Sequence, residues 1–228
     1  MNLESSLIDP SKSDSSEVSN LYLNLRALGD VVELKHQINI ESTRIELSHF
    51  ENDWRQYNPQ KPWIRRRGLS VTSLDGGISG NPDLDSLNEH FKRSGIRHSE
   101  NDFKTLTKVY QACPSIHPLI NDYLPNIGRS HFIRLEEGGF FPPHRDDFDS
   151  SAWAAYRILV PLFNCDKKNF VFLMEDQRIW MEPGRAYFVN TAKYHSVFSF
   201  AENCCQLVLN IPMTAANLRK TIDSRAVR

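Results

Sequence analysis

The carboxyl-terminal half of the chain contains short apolar runs separated by turn residues. They cover residues 130–135, 156–162, 169–174, 184–190 and 205–211, and each is rich in leucine, β-branched or aromatic side chains. Such runs are typical of β-strands. Several short strands at this spacing predict an antiparallel sandwich or barrel. We therefore expect this half to be mainly β, with helices on its flanks.

The first half of the chain mixes helical and strand patterns, and its sequence shows no independent apolar core. Residues 1–18 are rich in serine, aspartate and lysine, which predicts a flexible leader. A helical pattern opens at Ser42 and continues to Trp54, with Glu46 placed for a start resembling a capping box. We expect residues 19–127 to pack on the carboxyl-terminal barrel and to shape its mouth.

Four further segments of this half each predict a single element. Residues 68–74 predict a strand that ends at the Asp75-Gly76-Gly77 turn. Residues 84–92 and 115–124 predict helices, the second with prolines on both sides. Residues 21–34 suit either a strand or a short helix around a turn.

The composition is that of a globular protein with one core. The chain has 228 residues, of which 40% are hydrophobic, and its formal net charge is -1. This balance argues against general binding to nucleic acid or to anionic membranes, both of which favour concentrated basic surfaces. The one basic cluster, residues 61–67, predicts a turn that leads into a strand, with a rim for an anionic ligand as the alternative. No apolar run could span a bilayer and no signal segment is visible, so we expect a cytoplasmic protein.

The cysteines predict no disulfide framework. Cys113, Cys165, Cys204 and Cys205 show no Cys-x-x-Cys spacing, and a bond between the adjacent pair would be strained. We expect reduced thiols, with Cys204 and Cys205 at a core and a surface position of one strand.

Two histidines and one aspartate form the strongest chemical pattern. His144 and Asp146 are two residues apart, and on an extended strand such side chains project to the same side. His195 follows the predicted strand at 184–190, at whose end we expect it to complete the set. Two imidazoles and one carboxylate on one face of a metal leave the opposite face open, which favours a non-haem iron site. A structural zinc site would be expected to use four ligands.

Asp147 and Asp149 lie close to this pattern and could be mistaken for the carboxylate ligand. Neither shares the two-residue spacing from His144, and we expect both to face water or to cap a turn.

The order of these features resembles the double-stranded β-helix, a jelly-roll and cupin-like fold, of the Fe(II)- and 2-oxoglutarate-dependent oxygenases. The matching features are the Gly138-Gly139 turn, Pro142-Pro143-His144-Arg145-Asp146, Arg157-Ile-Leu-Val-Pro-Leu, Glu182-Pro183-Gly184, Asn190 and His195. The most similar branch is that of the aspartyl/asparaginyl β-hydroxylases and the bacterial cis-proline hydroxylases. The resemblance covers about residues 128–213, which would form the core of a single globular domain, with a tail at 214–228.

The resemblance also implies how a co-substrate would be held. His144, Asp146 and His195 would bind Fe(II), and Arg157 would bind a carboxylate of 2-oxoglutarate. The related branch usually carries an arginine about ten residues after the distal histidine, where a guanidinium can bind a carboxylate through two hydrogen bonds. Here those positions are Cys204, Cys205 and Gln206, and an amide brings no charge.

The missing charge has several possible sources in the sequence. Arg157 is the first choice because it interrupts an apolar strand, and a strand-end arginine that reaches water is its structural alternative. Arg134, Arg129 or an arginine of the amino-terminal half are the others. His131 shares a strand face with Ile133 and could line the pocket, or could be an ordinary core or edge histidine.

The implied activity is hydroxylation with Fe(II), 2-oxoglutarate and dioxygen, which releases succinate and carbon dioxide. The substrate would be an amino acid, an amino-acid side chain in a peptide, or a related small molecule, and the oligomeric state stays open. Two alternatives remain. One is a cupin-like metal-dependent hydrolase or isomerase that activates water without 2-oxoglutarate. The other is a non-catalytic jelly-roll binding module, since a fold does not dictate function.

Overall fold

The computed structural model describes residues 10–146 and 155–226, with side chains from Ser15 onward. Asp147 and Asp149 therefore lie outside the described residues, as does Trp153, for which the sequence predicts a core or pocket-wall position. The helices are α1 (Pro10–Ala27), α2 (Ile40–Ser48), α3 (Leu87–Ser94), α4 (Lys108–Ala112), α5 (His117–Ile120) and α6 (Ala215–Asp223). The strands are β1 (Val31–Gln37), β2 (Arg55–Gln56), β3 (Arg66–Ser70), β4 (Thr72–Ser73), β5 (Thr105–Leu106), β6 (His131–Leu135), β7 (Phe140–His144), β8 (Ala155–Pro161), β9 (Phe170–Met174), β10 (Gln177–Ile179), β11 (Arg185–Val189), β12 (His195–Ser199) and β13 (Cys204–Pro212).

Two antiparallel sheets face each other and form the barrel. The major sheet has the order β1-β11-β8-β13-β6-β3-β2, and the minor sheet has the order β10-β9-β12-β7. From β6 to β13 the chain passes back and forth between the two sheets, which is the winding of a double-stranded β-helix. The predicted fold class is therefore confirmed. The amino-terminal half extends the major sheet at both edges, with β1 on one side and β3 and β2 on the other.

The major sheet is covered on both faces, and its strands alternate accordingly. On β13, Cys205 and Leu207 belong to an apolar cluster shared with the amino-terminal helices, whereas Cys204 packs between the two sheets. Cys204 and Cys205 are thus both fully buried free thiols, and the expected surface position is wrong. The cause is the layer of helices, which turns the outer face of this strand into a second core.

The terminal segments differ from the simple leader and tail that the sequence predicts. Helix α1 begins inside the 1–18 segment, and residues 1–9 lie outside the described residues. Helix α6 packs against α1. The buried hydroxyl of Thr221 on α6 is hydrogen-bonded to Tyr123 and to Tyr156, at 3.0 and 2.6 Å. The segment 214–228 therefore contains a helix that is part of the core.

Two predicted helices are also changed in detail. The amino-terminal cap of α2 is Asn39 and not Ser42. The Asn39 side chain accepts a hydrogen bond from the backbone amide of Ser42 at 2.9 Å. The 115–124 segment breaks into short 3₁₀ and α turns, with prolines at the starts of two of them. Proline lacks the amide hydrogen that a continuous helix would need at these positions. Among the described residues, no helix is both long and apolar enough to cross a bilayer.

Candidate metal centre

Neighbouring strands of the minor sheet bring the two histidines together. His144 is the last residue of β7 and His195 the first of β12, and the two are paired across the strands. Their ring centroids are 4.2 Å apart. The expectation that His195 ends the 184–190 strand is wrong, because β11 ends at Val189 in the opposite sheet.

Asp146 lies just beyond the end of β7 and completes the set. Its amide donates a hydrogen bond to the carbonyl of Thr191 at 2.9 Å, which joins this segment to the loop that leads into β12. One ligand atom from each of His144, Asp146 and His195 lies within 4.8 Å of the others. Three donors at this separation can bind one metal ion, as the sequence predicts.

Backbone carbonyls determine which imidazole nitrogens are free. Nδ1 of His144 lies 2.7 Å from the carbonyl oxygen of Pro142, and Nδ1 of His195 lies 3.0 Å from that of Lys193. A carbonyl can only accept, so each Nδ1 must carry the hydrogen, and in the neutral form of the ring Nε2 then keeps a lone pair. This arrangement is typical of metal-binding histidines.

The loop before His195 is itself held in place. The carboxylate of Asp30 accepts hydrogen bonds from the Asn190 amide at 2.8 Å and from the Lys193 ammonium at 2.5 Å. These bonds anchor the carbonyls of Thr191 and Lys193, which orient two of the three donors.

The electrostatics favour the metal-binding protonation states. Burial, followed by the nearby His144, lowers the pKa of His195 below its usual value. Burial raises the pKa of Asp146, but the Arg157 guanidinium, a hydrogen bond from Thr191 and the two imidazoles outweigh it and hold this pKa below its usual value. A neutral imidazole and an ionised carboxylate are the forms that bind metal.

Arg157 lies beside the carboxylate of the metal centre and is already paired. Its Nη2 is 3.3 Å from the Asp146 carboxylate and 3.6 Å from that of Glu100. Glu100 also accepts two hydrogen bonds from Arg129 and one from Asn210, each at 2.7 Å. This network fixes Arg157 against a metal ligand and divides its charge between two carboxylates.

Arg134 is not in the pocket, which corrects the role offered by the sequence. It alternates with His131, Ile133 and Leu135 on β6 and therefore lies on the outer face. There its guanidinium pairs with Glu51 at 2.8 and 3.1 Å and covers the ring of Trp54 at 4.0 Å.

The inner face of the major sheet forms a polar wall, defined here as Arg66, His131, Gln206 and Asn210. Each member has a buried side-chain atom that finds no hydrogen-bond partner among the described residues, namely Nε, Nδ1, Oε1 and Oδ1 respectively. Burial, followed by Arg129 and Arg157, lowers the pKa of His131 well below its usual value, so its ring is neutral. Unsatisfied buried polar atoms are costly, and a polar occupant of the barrel would relieve that cost.

Arg66, like Asn210, is a member that sequence reasoning did not single out. It lies in the 61–67 cluster, whose predicted turn and strand are confirmed as a 3₁₀ turn at Pro62–Ile64 followed by β3. The signal that could have found it is the alternation along β3, which places Arg66, Gly68 and Ser70 on one face.

Divalent first-row metals fit this centre. It offers two imidazole nitrogens and one carboxylate oxygen, a set that suits iron and related ions and leaves coordination positions for other ligands. The polar wall lies on the same side of the major sheet as Arg157 and so faces the barrel interior, where a polar co-substrate could lie.

No protein-family model matches the chain, and comparison with curated proteins finds no relative. Among solved structures, a prolyl-4-hydroxylase from Pseudomonas putida is similar over 86% of this chain and 98% of its own, with 12% identity and a TM-score of 0.48. A prolyl hydroxylase from Trichoplax adhaerens, bound to a hypoxia inducible factor peptide, matches over 93% and 97%, with 9% identity and a TM-score of 0.48. A 2OG-Fe(II) oxygenase family oxidoreductase from Burkholderia pseudomallei matches over 87% and 91%, with 13% identity and a TM-score of 0.41. Similarity this distant leaves the chemistry to be argued from the residues of this chain, and the narrower resemblance to the aspartyl/asparaginyl β-hydroxylase branch stays a prediction.

Proposed function

We propose that this protein is an Fe(II)- and 2-oxoglutarate-dependent oxygenase. Its substrate would be an amino acid, an amino-acid side chain in a peptide, or a related small molecule. The observation that carries the proposal is the set formed by His144, Asp146 and His195, which is oriented by the backbone and offers three donors to one metal ion. A bound Fe(II) ion with 2-oxoglutarate would supply the oxidation of a substrate C–H bond by dioxygen, with succinate and carbon dioxide as the other products.

The chain itself would contribute orientation and the exclusion of water. The carbonyls of Pro142 and Lys193 direct each Nε2 toward the metal position. Arg157 keeps the Asp146 carboxylate ionised and in place. Side chains of the minor sheet, including Phe172 and Val197, are buried next to the centre and keep water from its inner side. A dry, pre-oriented site reduces side reactions of a reactive oxidant.

Anaerobic titration of the Fe(II)-loaded protein with 2-oxoglutarate tests the proposal without a known substrate. Chelation of the metal by the keto acid produces a weak visible charge-transfer band, and we expect this band to saturate. His144→Ala should abolish it. His49→Ala is the matched control, because His49 is an exposed histidine at the end of α2 and should leave the band unchanged.

The metal-dependent hydrolase or isomerase is the second candidate. The observation in its favour is the uncharged set Cys204, Cys205 and Gln206 where related oxygenases carry an arginine. Stoichiometric metal binding without the band would support this candidate, since water activation needs the metal alone. Failure to bind metal would favour the binding module.

A further inference from the structure

Among the residues that the structure describes, Arg66 is a buried cation without an acidic partner. Only 2% of the residue is exposed, and its Nε has no hydrogen-bond partner. Within the part of the chain that the structure describes, its guanidinium forms no ion pair. Three other arginines with largely buried side chains, Arg129, Arg134 and Arg157, each face a glutamate. Arg66 differs from them in this respect.

The position of Arg66 is inside the barrel. Arg66 on β3 is paired with Leu135 on β6, which is paired in turn with Cys204 on β13. Paired residues of neighbouring strands share a face of the sheet. Leu135 and Cys204 both belong to the cluster packed between the two sheets, and so the Arg66 side chain enters the same space.

Aromatic contacts relate the Arg66 guanidinium to the metal centre. Its carbon lies 4.0 Å from the ring centroid of Phe141 on β7 and 5.3 Å from that of Tyr57. The ring of Phe141 is 6.2 Å from the ring of His144 on the same strand. The two distances to the Phe141 ring set an upper limit on the separation between the guanidinium carbon of Arg66 and the centre of the His144 ring. Arg66 and His144 therefore share Phe141 as a neighbour inside the barrel.

The surroundings disfavour the charge of Arg66 in the protein alone. Burial lowers the pKa of its guanidinium, and no neighbouring carboxylate counters that effect. Arginine nevertheless stays protonated in proteins. Aromatic rings stabilise a cation by less than the usual cost of burying an ion. A bound anion would supply the missing opposite charge.

We propose that Arg66 binds the carboxylate of 2-oxoglutarate that lies farthest from the metal. This inference rests on the proposed function. Related oxygenases carry a positive charge on the strand that corresponds to β13, and this charge is absent at residues 204–206. Arg66 would supply it from β3, because Arg66 lies level with Cys204 across the sheet, with Leu135 between them. Gln206 lies on the same face of the sheet, two residues after Cys204 on β13, and would add a hydrogen bond from its amide. Arg157 is then a positioning residue for Asp146, and not the anchor of the far carboxylate.

Two ligands that differ only at the far end distinguish binding of the far carboxylate by Arg66 from a general distortion of the binding site. 2-Oxopentanoate has the same keto acid end and the same chain length as 2-oxoglutarate, but a methyl group replaces the far carboxylate. Calorimetric titration of the Mn(II)-loaded protein with each acid measures the preference for the dianion and needs no turnover. We expect the wild-type protein to prefer 2-oxoglutarate strongly.

Arg66→Gln should weaken 2-oxoglutarate binding about 100-fold, because a desolvated charge pair is lost, and should leave 2-oxopentanoate binding nearly unchanged. Arg67→Gln is the matched control, since Arg67 is the next residue of β3, is exposed and pairs with Glu136 at 3.2 Å. Arg66→Lys keeps the charge without the forked geometry and should restore part of the preference. Arg66→Met, which fills a similar volume, repeats the test if the glutamine variant does not fold.

The outcomes separate this inference from the proposed function. If the wild-type protein binds 2-oxoglutarate and neither Arg66→Gln nor Arg66→Met weakens it more than Arg67→Gln does, Arg66 is not the anchor and the proposed function stands. If the metal-loaded wild-type protein binds no 2-oxoglutarate, the proposed function fails and the inference fails with it. An equal loss for both keto acids would also overturn the inference, because it would show a distorted pocket instead of a lost charge pair.

Discussion

Replacing Arg157 by glutamine tests whether this arginine supports the metal or binds the co-substrate. Its Nη2 is 3.3 Å from Asp146, a separation at which two unit charges attract by about 5 kcal/mol at an effective dielectric constant of about 20. This value is an upper bound, because Glu100 shares the charge of Arg157 and because the Arg157 and Asp146 side chains both retain some contact with water. Changes in groups that orient a metal ligand typically cost about 10- to 100-fold in metal affinity, or about 1.4–2.8 kcal/mol. We expect a loss in that range for Arg157→Gln.

The assay is competition for Mn(II) against a chelator, at pH 7.5 and again at pH 6. Without Arg157 the pKa of Asp146 should rise, so the loss of affinity should be larger at pH 6, where protons compete more strongly for the carboxylate. Arg185→Gln is the control, because Arg185 is also a partly buried arginine facing a carboxylate, that of Glu33 at 3.9 Å, but at the opposite end of β11.

One result would refute this reasoning. If Arg157→Gln left the Mn(II) affinity unchanged and weakened 2-oxoglutarate binding about 100-fold while 2-oxopentanoate bound as before, Arg157 would be the carboxylate anchor that the sequence suggests. The measured metal affinity therefore decides between the two roles of this residue.

Three other predictions concern the ligands, a buried carboxyl group and a tight contact. His144→Ala and Asp146→Ala should each abolish metal binding while thermal unfolding of the metal-free protein changes little; insolubility of both variants would show that these are core residues. Burial raises the pKa of Asp83 to about 6, so the native state holds this proton more tightly than the unfolded state and loses stability as the pH rises from about 4 to 6. Asp83→Asn should thus stabilise the protein at pH 7.5 by roughly 2 kcal/mol and have little effect at pH 4, and thermal unfolding at both values measures this; equal effects at both would contradict it. A Cβ at Gly68 would lie 2.7 Å from the Leu84 side chain, so Gly68→Ala should cost about 1–3 kcal/mol in denaturant unfolding, and Leu84→Ala in the same chain should remove part of the added cost of Gly68→Ala.

The strand pattern of the second half predicts much of the barrel, because β-branched and aromatic runs reflect burial between two layers. The strands that carry the histidines are harder to predict. Strand β7 contains Pro142 and Pro143 and is partly exposed, and prolines usually argue against a strand. Here both lie in a strand at the edge of the minor sheet, where an amide hydrogen is not needed. His195 begins a separate strand that the sequence attaches to β11.

The partners of the arginines could not be predicted from local pattern at all. Arg157 and Arg66 are both arginines that interrupt strand-like sequence. Within residues 10–146 and 155–226, however, Arg157 faces two carboxylates and Arg66 faces none. The difference depends on Glu100, which belongs to a 3₁₀ turn of the amino-terminal half and reaches the barrel only after the chain has folded. Long-range pairing of this kind leaves no periodic signal in the sequence.

Glu100 also limits how this architecture could be divided or recombined. The barrel strands carry Arg157 and Asn210, but the carboxylate that holds both comes from outside the barrel, in a turn capped by Ser99. A barrel transplanted without that turn would keep all three metal donors and lose the charge balance behind one of them. Homologous exchange between chains, natural or engineered, would therefore have to transfer the barrel and the 99–102 turn as one unit.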